Sequence, residues 1–315
     1  MTTTTDVPQR RVLAGGDLAA VCELLTLCDT AVIGRTDFTE DEIAADLRST
    51  TLESYGWYAG ELLVGYGWVE RVDTSAKVEL DAYVRPGHDP ALGLDILDFL
   101  ERRGLALVAE AGHAEVVFDI GLYRQDEQSQ SWLRSRGFET PTSFVRMRID
   151  LDGPVATPTV PGLVLRRADT AEADLRTAHR ISEDAFGEHY NHVQVSHESW
   201  RRRLTEQGED FAEVWLAELD GEPVGVLVGT RQFVEDENAG YVRTLGTMPG
   251  ARGRGVGKAL LRGYFDVAQR AGRAAVLLHV DVGNVTGALR LYESVGMRPV
   301  LTIDAWTKRS PVHAD

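Results

Sequence analysis

Cysteine is scarce in this 315-residue sequence, which holds only Cys22 and Cys28. The pair gives no disulfide framework and no set of CxxC metal hooks. With Leu24, Leu25 and Leu27 around them they read as small buried thiols on one helix, which fits a reducing cytoplasm. Long apolar runs are missing too. A run such as "AAVLLHV" falls far short of the ~20 residues of a bilayer-crossing helix. The opening "MTTTTDVPQRR" lacks the apolar centre of a secretory signal and reads as a polar tail. Positive charge is outnumbered: 33 Lys and Arg stand against 49 Asp and Glu, a formal net charge of −16. That balance argues against a nucleic-acid backbone or an anionic membrane as partner, and is compatible with an amine-bearing one. What is present, 43% hydrophobic and 26% charged residues, is the make-up of a soluble globular protein long enough for two domains.

The chain repeats itself. "WYAGELLVGYGWVERVDTSAKVELDAYV" from Trp57 and "WLAELDGEPVGVLVGTRQFVEDENAGYV" from Trp215 each give a strand, a glycine-containing turn, a second strand, a polar connection and a third strand. Each copy continues into a long helix, a buried strand ("AEVVFDIG", "AAVLLHVDV") and a short helix closed by Gly137 or Gly296. Helical segments precede each set: 17–30 and 41–48 in the first copy, 171–188 and 198–207 in the second. The proline-bearing stretch "LDGPVATPTVPG" separates the copies. These patterns predict an α/β (α+β) protein of two tandem domains, each a mixed, mainly antiparallel sheet flanked by helices. The expected boundaries are 1–152, a linker over 153–161, and 162–315.

Between the third strand and the long helix of the second copy lies "TMPGARGRGVGKALL". A helix start has amide hydrogens without intrahelical partners and a partial positive charge. Glycines let that backbone approach an anion, and Arg252, Arg254 and Lys258 add charge, so a diphosphate is the natural guest. Arg252, Gly253, Arg254, Gly255, Val256, Gly257 and Lys258 are the candidates to hold it. The spacing is not that of a nucleoside-triphosphate loop, since Lys258 is followed by Ala259. A dinucleotide loop would need a parallel βαβ unit rather than a meander; a glycine-rich turn with no ligand is the plain alternative.

These residues resemble the GCN5-related N-acetyltransferases (GNAT). That family's acyl-coenzyme A loop, [RQ]xxGx[GA], is met by Arg252, Gly255 and Gly257. Its N…A…LYxxxGF segment is met in "NVTGALRLYESVGM" by Asn284, Ala288 and Tyr292, with Met297 where the family has phenylalanine. The match covers roughly residues 162–308, and the duplication resembles tandem members of the family, mycothiol synthase being one. The resemblance implies acetyl-coenzyme A (acyl-coenzyme A) as co-substrate without a metal, and Tyr292 as proton donor to the departing thiolate. It also implies that the main chain of Leu245, Gly246 and Thr247 holds the pantetheine arm, and that Asn284 lies at the coenzyme.

The first copy departs from that pattern. Asp89, Leu92 and Leu94 stand where the second has Arg252, Gly255 and Gly257, and Leu133 stands in place of Tyr292. A non-catalytic domain is expected there. The second copy has a gap of its own. Many members of the family carry a glutamate eleven positions before the loop arginine, and here that position is Tyr241. A neutral phenol is a poor base near neutral pH; Glu235, Asp236 and Glu237 stand nearby but read as a solvated charge run. The substrate mouth is expected in "AFGEHYNHVQVSHESW", with Glu188, His189, Tyr190 and Tyr241 as candidates to face the acceptor. The reading is a cytoplasmic N-acetyltransferase acting on a primary amine of a small molecule, with no nucleic-acid or membrane partner. A non-catalytic acyl-coenzyme A-binding regulator and an antibiotic-modifying acetyltransferase remain the alternatives.

Overall fold

The computed structural model describes residues 7–72, 74–153, 159–168, 172–187, 194–206, 211–283 and 287–312, apart from the side chains of residues 203, 206 and 236. The first copy runs β1 (Gln9–Val12), α1 (Leu18–Ile33), α2 (Glu40–Asp46), β2 (Leu52–Ala59), β3 (Leu62–Arg71), β4 (Lys77–Val84), α3 (Ala91–Glu110), β5 (Glu115–Tyr123), α4 (Glu127–Ser135) and β6 (Glu139–Asp150). The second runs β7 (Leu163–Arg167), α5 (Glu172–Phe186), α6 (His197–Glu206), β8 (Val214–Leu219), β9 (Glu222–Thr230), α7 (Val234–Glu237), β10 (Ala239–Thr247), α8 (Val256–Arg270), β11 (Ala275–Asp281), α9 (Ala288–Ser294) and β12 (Arg298–Pro311). The class is the expected mixed α/β. No described helix is long and apolar enough to cross a membrane. The charge run after β9 contains the short helix α7 rather than only a loop.

The chain forms two compact units, Met1–Ser143 with Thr302–Asp315, and Phe144–Leu301. Strands of the first are ordered β1-β2-β3-β4-β5-β12, and all neighbours are antiparallel except β4 and β5. Strands of the second are ordered β7-β8-β9-β10-β11-β6, again with one parallel pair, β10 and β11. A parallel pair needs a crossover, and α3 and α8 supply it. The units differ from the repeat boundaries in their sixth strands. Residues 144–150 pair with β11 and residues 303–311 pair with β5.

Side-chain burial follows that pairing. Val145 and Met147 of β6 join the core formed by Leu260, Leu261, Tyr264 and Phe265 of α8. Trp306 of β12 joins Phe118, Trp132, Leu133 and Phe138. Helix α8 buries Val256, Ala259, Leu260, Tyr264, Phe265 and Ala268, the i, i+3, i+4 stripe of an amphipathic helix. On the opposite face of the second sheet, α5 buries Leu175, Ala178, Ile181 and Ala185 and packs on β9 and β10.

Candidate active site

Strand β10 pairs in parallel with β11 from Ala239↔Ala275 to Val242↔Leu278, and there the ladder ends. On its other edge β10 stays paired with β9 as far as Thr247↔Gly225. One edge of Arg243–Thr247 is therefore released from the β11 ladder. Leu245, Gly246 and Thr247 line a cavity of about 420 Å³ beside that edge. The end of α5 (Ala185, Phe186) lines it too, as do the loop after β10, the start of α8, and Gly287, Ala288, Leu291 and Tyr292 of the α9 segment.

The glycine loop wraps the start of α8. Gly253 (φ +76°) and Gly255 (φ +83°) have left-handed backbones, a conformation that costs an L-residue about 1–2 kcal/mol. Gly257 is tight for another reason: a Cβ there would come within 3.2 Å of Leu291 Cδ2, which would have to shift by a few tenths of an ångström. The first intrahelical bond of α8 is Ala259 N–H to Gly255 O, 3.0 Å. The amides of Val256, Gly257 and Lys258 precede it and have no backbone acceptor among the described residues. Val256, Gly257 and Lys258 line the cavity together with Arg252, Gly253 and Gly255. These free amides, the cation and a glycine backbone that leaves room for close approach fit a diphosphate.

The loop cations divide their work. Arg252 donates to the Ala185 carbonyl at 3.1 Å, tying the loop to the last turn of α5, where a helix carries partial negative charge. Arg254 is absent from the lining and pairs at 3.6 Å with Asp220, both well exposed.

Tyr292 lines the same cavity and is only 8% exposed. Burial, then the nearby Tyr241 phenol, pushes its pKa up to about 12, so the hydroxyl keeps its proton. Tyr241 lies at the place where β10 and β11 part, and its hydroxyl meets His279 Nδ1 at 3.0 Å. It is absent from the cavity lining. Glu237 is paired with Arg148 at 2.7 Å and Arg146 at 3.8 Å, and Glu235 is exposed. Glu188, His189, Tyr190 and Asn284 lie outside the described residues. The sequence reading placed Ala185 and Phe186 at the start of the expected substrate mouth without naming either as a site residue, and it missed the lining residue Leu291 and the His279–Arg146 contact. Ala185 and Phe186 end the amphipathic pattern of α5, a signal that marks a helix end without saying what it covers.

In the first unit the matching helix start is built differently. Asp89 Oδ1 accepts the Ala91 N–H at 2.9 Å, Pro90 caps α3, and Leu92 and Leu133 are core residues. A Cβ on Gly93 would lie 2.5 Å from the Trp132 ring.

Two parting parallel strands, a glycine-rich helix start and a buried tyrosine around one cavity are an arrangement that suits an acyl-carrier diphosphate. The family model for acetyltransferases (GNAT) matches residues 175–297. The chain is 30% identical over 249 residues to a mycothiol acetyltransferase of Streptomyces avermitilis, covering 76% of this chain and 74% of that one. It is also 30% identical over 228 residues to a protein of the same name in Acidothermus cellulolyticus, with 68% and 69% covered. Among solved structures, a GCN5-related N-acetyltransferase from Sphaerobacter thermophilus shares the fold with a TM-score of 0.81 at 23% identity, over 98% of this chain and 97% of that one. A tandem GNAT protein from the clavulanic acid biosynthesis pathway does so at 0.74 and 16%, over 98% and 99%. The chain belongs to the GNAT family. It is an N-acetyltransferase, moving an acetyl group from an acyl-coenzyme A to an amine.

Proposed function

We propose that the second copy carries the reaction, with acetyl-coenzyme A as donor and a primary amine of a small molecule as acceptor. The observation that carries this is the gathering of the released β10 edge, the unengaged amides of α8 and the Tyr292 phenol around one cavity. When bound, the coenzyme supplies an acetyl group activated as a thioester. The amides of Val256, Gly257 and Lys258 and the Lys258 ammonium hold negative charge at the helix start. The main chain of Leu245, Gly246 and Thr247 offers ladder hydrogen bonds to an extended amide-bearing arm. As the free amine nitrogen bonds to the thioester carbonyl carbon and the C–S bond breaks, Tyr292, kept protonated by burial, gives its proton to the departing sulfur without need of a metal. The nitrogen sheds its surplus proton to water, and solvent returns one to the phenol. The first copy, with a carboxylate and a proline at its helix start, serves as a structural domain. The two unpaired cysteines support a cytoplasmic setting.

Coenzyme A release, followed with a thiol reagent over a panel of amines, tests the reading. The name shared by the sequence relatives makes the mycothiol acceptor the first amine to try, with aminoglycosides as the second arm. Release that depends on a small primary amine is expected. A chain that binds acetyl-coenzyme A and turns over with none of them would overturn it.

A further inference from the structure

Where β10 and β11 separate, a line of hydrogen bonds runs between elements far apart in sequence. Tyr241 belongs to the last-but-one pair of the parallel ladder, and His279 is the first residue beyond its end. Their side chains meet at 3.0 Å between Tyr241 Oη and His279 Nδ1. On the other side of the imidazole, Arg146 of β6 donates its Nε–H to His279 Nε2 at 3.1 Å. Arg146 is 4% exposed and approaches Glu237 of α7 at 3.8 Å; the other Glu237 oxygen is held by Arg148 at 2.7 Å. The Tyr241 ring stands edge-on to Phe233 and to His279, so the phenol cannot swing away without breaking two ring contacts.

The chemistry of the donors fixes where the protons are. A guanidinium has no lone pair to offer, so Nε2 of His279 accepts and carries no hydrogen. A neutral imidazole then has its proton on Nδ1, and Nδ1 donates to Tyr241 Oη. The Tyr241 hydrogen is left to point away from His279. We propose that Arg146 and His279 are positioning residues for acetyl transfer: they lock the tautomer that makes Tyr241 a hydrogen-bond donor to an oxygen or nitrogen acceptor on the substrate, and they bar it from relaying a proton inward. The proposal rests on the functional reading above, with the acceptor reaching the thioester from the Tyr241 side of Tyr292. Tyr241 does not line the 420 Å³ cavity, but it is partly exposed and near enough to Tyr292 to act on its phenol. The groups around the imidazole agree with it. Burial first, then Arg146, drives the His279 pKa down to about 4. Burial raises that of Tyr241 against the pull of Arg243 and Arg146. Glu237 is the carboxylate on this network, and it is engaged by the two arginines.

The consequence is a specificity of stated chemistry. The acceptor is a free amine carrying a neutral hydroxyl, ether or carbonyl within reach of a phenol donor, and no residue of this network takes the amine's proton.

The direct test is nitrogen-resolved NMR of the histidine rings in the full chain. For His279 a proton on Nδ1, a bare Nε2 and no titration across the neutral range are expected. A proton on Nε2, or a midpoint near neutrality, would overturn the proposal. Kinetics give the second arm. His279→Ala should raise the amine KM or lower kcat/KM by on the order of tenfold, the worth of one such hydrogen bond, while the coenzyme KM and the shape of the pH profile stay as in the wild type. His279→Asn, which returns an N–H near the Nδ1 position, should recover most of the loss. A neutral inflection present in the wild type and absent in His279→Ala would instead make His279 a base. Since the tautomer is read without turnover, failure of this proposal and failure of the functional reading are told apart.

Discussion

Tyr292 joins three properties that are rarely found in one side chain: it is nearly buried, it borders a cavity, and its hydroxyl has no hydrogen-bond partner among the described residues. A core tyrosine of that burial normally finds an acceptor. Tyr292→Phe keeps the ring and its packing, so stability should move by no more than about 0.5 kcal/mol and coenzyme affinity should hold. Turnover should fall by on the order of 100-fold, the scale of general acid catalysis. Stopped-flow binding beside steady-state kinetics checks both halves, and wild-type turnover would return the residue to the core. The position of this tyrosine was legible because the family segment around it is local, running from the strand end to Gly296 within one stretch of chain. The partner of Tyr241 was not. His279 stands 38 residues beyond it and Arg146 lies 133 residues before His279, and no periodicity in either segment announces a contact made by folding alone.

The loop and α8 are the elements whose sequence said most about their shape. The glycines do not share one cause, a left-handed backbone at Gly253 and Gly255 and a near contact at Gly257, and substitutions should separate them. Gly255→Asp adds strain at φ +83° and a negative charge at the helix start, and should abolish acetyl-coenzyme A binding in calorimetry. Gly255→Ala meets only Val160 Cγ2 at 3.4 Å, an ordinary contact, so its cost is the backbone alone, about 1–2 kcal/mol of stability with weakened binding. Gly250→Ala has open space and no positive φ and should bind as the wild type does. Equal behaviour of Gly250→Ala and Gly255→Asp would mean the loop is misassigned. The last strand of each copy was less legible: Val145 and Met147 of β6 are buried in one core and Trp306 of β12 in the other. Nothing local in either strand names the sheet it joins, β6 pairing with β11 and β12 with β5.

At the scale of the whole molecule the two copies have gone separate ways, and their charge shows it. A cavity of about 340 Å³ in the first unit is lined by Asp29, Asp37, Glu42, Asp46 and Asp81 beside Tyr66, Trp68, Tyr83 and Tyr123, with no Lys or Arg among its lining residues. Burial pushes the pKa of Asp29 and of Asp46 up to about 6 and that of Asp81 up to about 7. The folded state therefore holds protons that the unfolded chain has released once the pH exceeds the ordinary value of 3.8, and stability falls as pH rises from there to about 7. Asp81→Asn should raise the melting temperature at neutral pH by about 2–4 °C for each kcal/mol recovered and do little near pH 4; a variant that melts lower than the wild type at neutral pH would refute the sign. The same charge bears on stoichiometry. A diphosphate brought to the first unit would meet the Asp89 carboxylate already accepting the Ala91 amide, with Pro90 removing a donor. In the second unit it would meet the amides of Val256, Gly257 and Lys258, which have no backbone acceptor among the described residues, and Lys258 itself. Calorimetry on the full chain should accordingly give one acetyl-coenzyme A per chain. Asp89→Gly should not create a second site, because Leu92 is packed in the core and Trp132 lies against Gly93. Two equal sites in the wild type would show that the acidic copy still binds coenzyme.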